Sequence, residues 1–151
     1  MQKITTFLMF SERAGEAMAF YTSVFKNSKI ISSMPGPNGS VMGGTFELEG
    51  QRYSAFNGGP HFSFSEGISL FVSCDTQDEI DYYYDKLSDG GKKDRCGWVK
   101  DQFGVSWQVV PPVLGELLSS TDRAKADRVM QAMLKMHKLD LKALNDAAAG
   151  E

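Results

Sequence analysis

Apolar positions recur along this chain with two periods, and they sort it into strands and helices. Residues 4–10 form a β-rich apolar run, and Ser11 offers a side-chain oxygen to the orphan N–H groups of a following helix. Ala14, Ala17, Met18, Tyr21, Val24 and Phe25 then fall on one helical stripe, with Lys26 and Asn27 suited to its end. Residues 29–34 read as a second strand and residues 35–39 as a turn. Residues 41–49 and 52–57 alternate around Glu49-Gly50-Gln51, the pattern of a hairpin. A linker with alternating aromatic and polar residues, 61–66, follows Gly58-Gly59-Pro60.

The order then repeats. Residues 68–74 predict a strand, and Thr76-Gln77-Asp78-Glu79 has capping-box spacing. Ile80, Tyr83, Tyr84 and Leu87 give a second helical stripe, ended by Gly90-Gly91. A weak strand over 93–96 precedes a hairpin whose arms are 97–100 and 105–110, joined through Asp101 to Gly104. In its second arm, alternation puts Val105, Trp107 and Val109 on one face and Ser106, Gln108 and Val110 on the other. Both halves therefore read strand, helix, strand, strand, strand, which predicts a duplicated α+β fold of two βαβββ modules over 1–112, divided near residue 60.

Residues 113–151 are helical in pattern. Leu114, Leu117 and Leu118 make a short patch. Ala126, Val129, Met130, Met133 and Leu134 make a stripe capped near Ser120 or Thr121, and Asp140 caps a last helix. Neither repeat needs this arm for completion. It is expected to pack at a subunit interface or across the back of its own sheet.

Composition narrows the partners. A net charge of −3 argues against nucleic acid, which requires a basic stripe. The one basic cluster, Lys92, Lys93 and Arg95, reads as solvated surface. No apolar run approaches the ~20 residues of a membrane helix, and residues 1–10 do not resemble a signal peptide. Two cysteines, Cys74 and Cys96, make neither a disulfide framework nor a metal quartet, so a reduced, cytoplasmic protein is expected.

Phe20-Tyr21, Asn57-Gly58-Gly59-Pro60, residues 68–72, Cys96-Gly97-Trp98 and Phe103-Gly104-Val105-Ser106-Trp107-Gln108 together resemble PhnB-like proteins. That subgroup belongs to the glyoxalase/bleomycin-resistance/dioxygenase, or vicinal oxygen chelate, superfamily, and residues 128–134 of the tail resemble it too. The resemblance implies two βαβββ modules, each half-closed around a cavity, in a homodimer. Metal-using members hold a divalent ion on inward His, Glu or Gln side chains. Carried over, those positions fall at Thr6, Asn57, Ser69 and Gln108, whose hydroxyls and neutral amides are poor ligands for such an ion.

Other chemistry is thin. No Ser sits in a nucleophile elbow, neither Cys stands beside a His, and His61 and His137 are far apart in the reading. Glu66 could reach a cavity mouth, and Asp101 is a candidate general acid or base. The expectation is a small-molecule-binding protein without metal or other cofactor. Thr6, Asn57, Ser69 and Gln108 would be its polar points, and Phe10, Tyr53, Phe71 and Trp98 its apolar walls. The alternatives are a metal-dependent lyase, isomerase or dioxygenase, or the methyl transfer to a quinol-like phenol with which some subgroup members are labelled. A nucleotide-type cofactor normally needs a Gly-rich strand-to-helix turn, whereas Gly36, Gly39, Gly43 and Gly44 lie between expected strands.

Overall fold

The computed structural model describes residues 2–151. It comprises two compact units, the first reaching Phe64 and the second running from Ser65 to Glu151. The first contains β1 (Thr6–Phe10), α1 (Ala14–Val24), β2 (Ser28–Pro35), β3 (Val41–Leu48) and β4 (Gln51–Asn57). The second contains β5 (Leu70–Ser73), α2 (Gln77–Ser88), β6 (Lys92–Lys93), β7 (Trp98–Lys100) and β8 (Ser106–Val110). Three helices follow: α3 (Pro112–Leu118), α4 (Arg123–Leu134) and α5 (Leu141–Ala149). Each unit holds one four-stranded mixed sheet, ordered β1-β4-β3-β2 and β5-β8-β7-β6. First and last strands of a module are parallel neighbours, β1 with β4 and β5 with β8, and the remaining pairs are antiparallel. The expected pair of βαβββ modules is what the chain forms.

In the first unit Ala14, Ala17, Met18, Tyr21 and Val24 of α1 are buried, together with Leu8, Phe10, Phe46, Leu48 and Ala55 of the sheet. An aromatic column marks which face the helix covers. Tyr21 of α1 stacks on Phe46 with centroids 6.0 Å apart, and Phe46 stacks on Tyr53 at 5.4 Å. The helix start differs from expectation. Ser11 is not the cap; Arg13 occupies that place with no side-chain cap bond. The Ala14 N–H instead donates to Asn57 Oδ1 at 2.8 Å. Nor does the helix run to Lys26 and Asn27, because Phe25 is already extended, with φ −93° and ψ 136°. Between β3 and β4 the reversal is made by Glu49 (φ 49°) and Gly50 (φ 82°), two left-handed residues of the kind that match strand twist.

In the second unit Thr76 accepts from the Glu79 N–H at 3.2 Å, as its capping-box position predicts. Ile80, Tyr84 and Leu87 are buried, beside Val99, Trp107 and Val109. β5 is shorter than the expected 68–74, and the strand expected over 93–96 reduces to Lys92–Lys93. Cys96 (φ 59°) and Gly97 (φ 83°) then turn the chain through the left-handed region.

The tail belongs to this unit. Cys96 and Gly97 donate their N–H groups to the carbonyls of Met136 and His137, at 2.9 and 2.8 Å. A Cβ on Gly97 would lie 2.7 Å from the Val109 carbonyl oxygen and 3.1 Å from Leu139, so only glycine allows this approach. Gln77 of α2 clamps the arm from the other side: its Nε2 donates to the Leu139 carbonyl at 3.0 Å and its Oε1 accepts from the Leu141 N–H at 2.8 Å. Val110, Leu114, Val129, Leu139 and Leu144 form one buried cluster. Val110, expected on the open sheet face beside Gln108, is therefore covered by the arm. Asp122, not Ser120 or Thr121, caps α4, while Asp140 caps α5 as expected, accepting from Ala143 N–H at 2.9 Å.

Candidate functional site

Strand geometry decides which predicted residues share a surface. Successive side chains point to opposite faces, and residues paired across strands share a face. In the second unit Val99, Trp107 and Val109 are buried under α2. Trp98 pairs with Gln108 and Phe71 pairs with Gln108 from the other side, so these three lie together on the opposite, open face. Gln108 Nε2 donates to Ser69 Oγ at 3.0 Å, which brings the fourth residue into the group. Phe71 is 57% exposed and adds a large apolar surface to this face. At the edge of this group Lys100 Nζ lies 2.5 Å from Glu66 Oε1. That bond holds the Glu66 carboxyl below its ordinary range. Glu66 is thus paired with Lys100 next to the open face.

The other four predicted residues are placed differently. Thr6 pairs with Tyr53, Leu8 with Ala55 and Phe10 with Asn57. Tyr53 belongs to the column leading to α1, so all of them lie on the helix-packed face. Phe10 is buried edge-on against Phe64, with centroids 5.2 Å apart. Burial raises the Tyr53 phenol above its ordinary range. Asn57 caps α1 and donates from Nδ2 to the Val41 carbonyl at 3.4 Å. The open face of this sheet carries instead Phe7, Met9, Ser54 and Phe56, with Thr45 of β3. Sequence reasoning missed them because β1 reads Thr-Phe-Leu-Met-Phe, apolar at four consecutive positions, so alternation could not choose the inward parity. A slip of one residue exchanges the two faces.

Asp101 is also structural. It is 3% exposed; Oδ1 accepts from the Phe103 and Val105 N–H groups at 2.9 and 3.0 Å, and Oδ2 from Trp107 Nε1 at 2.8 Å. A carboxylate so occupied pins the β7–β8 turn to the inward tryptophan. Burial pushes the Cys74 thiol up to about 12. His61 lies exposed on its linker. Among the described residues no three His, Cys, Asp or Glu side chains are grouped as a metal site would require, and no helix is long and apolar enough to cross a membrane.

Paired βαβββ modules, each with one helix-covered and one open sheet face, define the glyoxalase-like class of fold. Within it, the sequence profile described as 3-demethylubiquinone-9 3-methyltransferase matches residues 2–110, and the chain belongs to that family. The match ends at Val110, so the helical arm lies beyond it. A PhnB protein from Bacillus cereus, itself only provisionally described as a 3-demethylubiquinone-9 3-methyltransferase, is 39% identical. The alignment covers 71% of this chain and 97% of that one, with a TM-score of 0.66. Protein PA1353 from Pseudomonas aeruginosa shares the fold at 19% identity, covering 71% of this chain and 95% of that one, with a TM-score of 0.56. A gene product from Arabidopsis thaliana does so at 20% identity, with 71% and 96% covered and a TM-score of 0.51. No curated protein matches the chain.

Proposed function

We propose that the protein binds a small organic molecule on the open face of its second unit, without a metal ion at the position that metal-using relatives of this fold employ. The observation that carries this reading is the grouping of Phe71, Trp98, Gln108 and Ser69 on one face, two aromatic surfaces around a neutral amide–hydroxyl pair. Such a surface suits a flat organic compound with a hydrogen-bonding group. The donor set fits an ion poorly. Gln108 and Ser69 are neutral and already bonded to each other, so little offsets the loss of the ion's water shell. Thr6 and Asn57 lie on the covered face of their sheet, and the Asn57 amide oxygen is engaged by α1. The family's methyl-transfer label finds no support in the local geometry, since Gly43 and Gly44 lie within β3 and open no helix. The reading includes a cytoplasmic homodimer with the helical arm near the subunit interface.

Titration with 1,4-hydroquinone and 4-hydroxybenzoate, followed by tryptophan fluorescence, tests the reading. Saturable quenching that weakens at least tenfold in Gln108→Ala and in Phe71→Ala is expected. Elemental analysis of protein purified without chelator is the second arm. A stoichiometric divalent ion that disappears in Gln108→Ala overturns the metal-free reading. Thermal-shift measurement with S-adenosylmethionine is the third, because any ligand confined to the native state raises its stability. A clear shift would restore methyl transfer.

A further inference from the structure

The first unit has an open-face surface of different chemistry. A cavity of about 630 Å³ there is lined by Gln2, Thr5, Thr45, Glu47, Gly50, Arg52 and Ser54. Register explains the grouping: Thr45 pairs with Ser54 and Glu47 with Arg52, while Phe7 pairs with Ser54 from the other side. Gln2 fastens this end of the sheet. Its Nε2 donates to the Arg52 carbonyl at 3.1 Å and its Oε1 accepts from the Arg52 N–H at 3.1 Å. The Arg52 backbone is thus held while its guanidinium enters no ion pair and no side-chain hydrogen bond among the described residues, although Glu47 stands opposite in register. Among the described residues the side-chain hydroxyls of Thr5, Thr45 and Ser54, which line the same cavity, likewise enter no hydrogen bond.

Three free hydroxyls beside a free guanidinium form a donor-rich pocket. Arg presents its N–H groups in a planar fork that matches the two oxygens of a carboxylate or phosphate. Toward the far end of the same face the lining turns apolar: Phe7 is 55% exposed, and Met9 pairs with Phe56 on its flank. We infer that this face binds a small organic oxyanion, a carboxylate or phosphate ester, with its charged oxygens on Arg52, Ser54, Thr45 and Thr5 and its apolar body along Phe7, Met9 and Phe56. Glu47 opposes an anion from one side, which makes it a brake on affinity. The surface belongs to the first unit and the Gln108 group to the second, and the inference holds whether or not that group binds a ligand.

The test is an NMR titration of the full chain, with benzoate and phenyl phosphate as probes and benzyl alcohol as the uncharged control. Amide shifts should concentrate at Thr45, Ser54 and Arg52. Arg52→Gln should weaken the anions at least tenfold and leave benzyl alcohol unchanged. Arg52→Lys should recover only part of the loss, and Glu47→Gln should tighten both anions several-fold. Which anion binds more tightly separates a carboxylate from a phosphate ligand. Arg52 is exposed, so its replacement leaves the fold intact. Unchanged anion affinity in Arg52→Gln, or shifts centred on residues of the second unit, would overturn the proposal.

Discussion

Asn57, the last residue of β4, caps a helix 43 positions earlier in the chain, its Oδ1 accepting the Ala14 N–H at 2.8 Å. One side chain therefore joins the end of the first module to α1. It also explains why Ser11, better placed in sequence, is not used. The helix start is anchored by the sheet on which it lies, and the local candidate becomes redundant.

Replacing Asn57 tests that link. Asn57→Ala should destabilise the protein by about 1–2 kcal/mol, the usual range for a lost helix cap. Asn57→Asp, which keeps the acceptor and adds a charge favourable to the helix N-terminus, should recover most of it. Urea unfolding followed by circular dichroism measures both. Equal stability of Asn57→Ala and the parent would show that the cap contributes nothing.

Asp101 offers a sharper case. Its carboxylate accepts from two buried donors and one half-buried one, so Asp101→Ala removes that acceptor from the Trp107 indole N–H and from the Phe103 and Val105 N–H groups. A loss of about 3 kcal/mol or more is expected, since each orphaned buried donor costs about 1–3 kcal/mol. Tryptophan emission should shift to the red as water reaches Trp107. Were Asp101 a catalytic acid or base, its removal would spare stability.

Alkaline conditions should weaken the fold. Burial raises the Cys74 thiol and the Tyr84 hydroxyl to about 12, and moves Tyr53 in the same direction. In the unfolded chain these groups ionise near 9 for the thiol and 10 for the phenols. The stability they confer is complete below pH 9 and falls as pH rises toward 12, because the unfolded state then ionises first. Thermal midpoints recorded from pH 7 to 11 should be level up to about 9 and decline beyond. In the native protein at pH 8, Cys74 should stay unmodified by a thiol reagent that labels it after unfolding.

The helical arm yields a prediction of its own. Deleting residues after Pro112 exposes Val110 and removes the hydrogen bonds that Cys96, Gly97 and Gln77 make to the arm. The truncated chain should aggregate or run as a loosened monomer in sedimentation. Gln77→Ala is the milder variant. It should lower stability by about 1–3 kcal/mol, as two hydrogen bonds to the arm are lost, while near-ultraviolet circular dichroism stays native. A stable, dimeric truncation would show that the arm is dispensable for both fold and assembly.

Local rules were enough for the duplicated strand–helix–strand–strand–strand order, the Thr76 and Asp140 caps and the inward turn of Trp107. Each depends on residues within a few positions of one another, and the period of apolar residues reports it directly. In the candidate site, the shared face of Phe71, Trp98 and Gln108 was legible for the same reason, since β8 alternates cleanly and places Gln108 opposite its buried neighbours. The first half was not. In β1 both faces are apolar, and only the packing of α1 through Tyr21, Phe46 and Tyr53 selects the one that is covered. Tertiary structure alone assigned Asn57 to a distant helix and engaged the Cys96 and Gly97 amides with the arm. Those choices are made by partners 40 or so residues away, and no short-range periodicity encodes them.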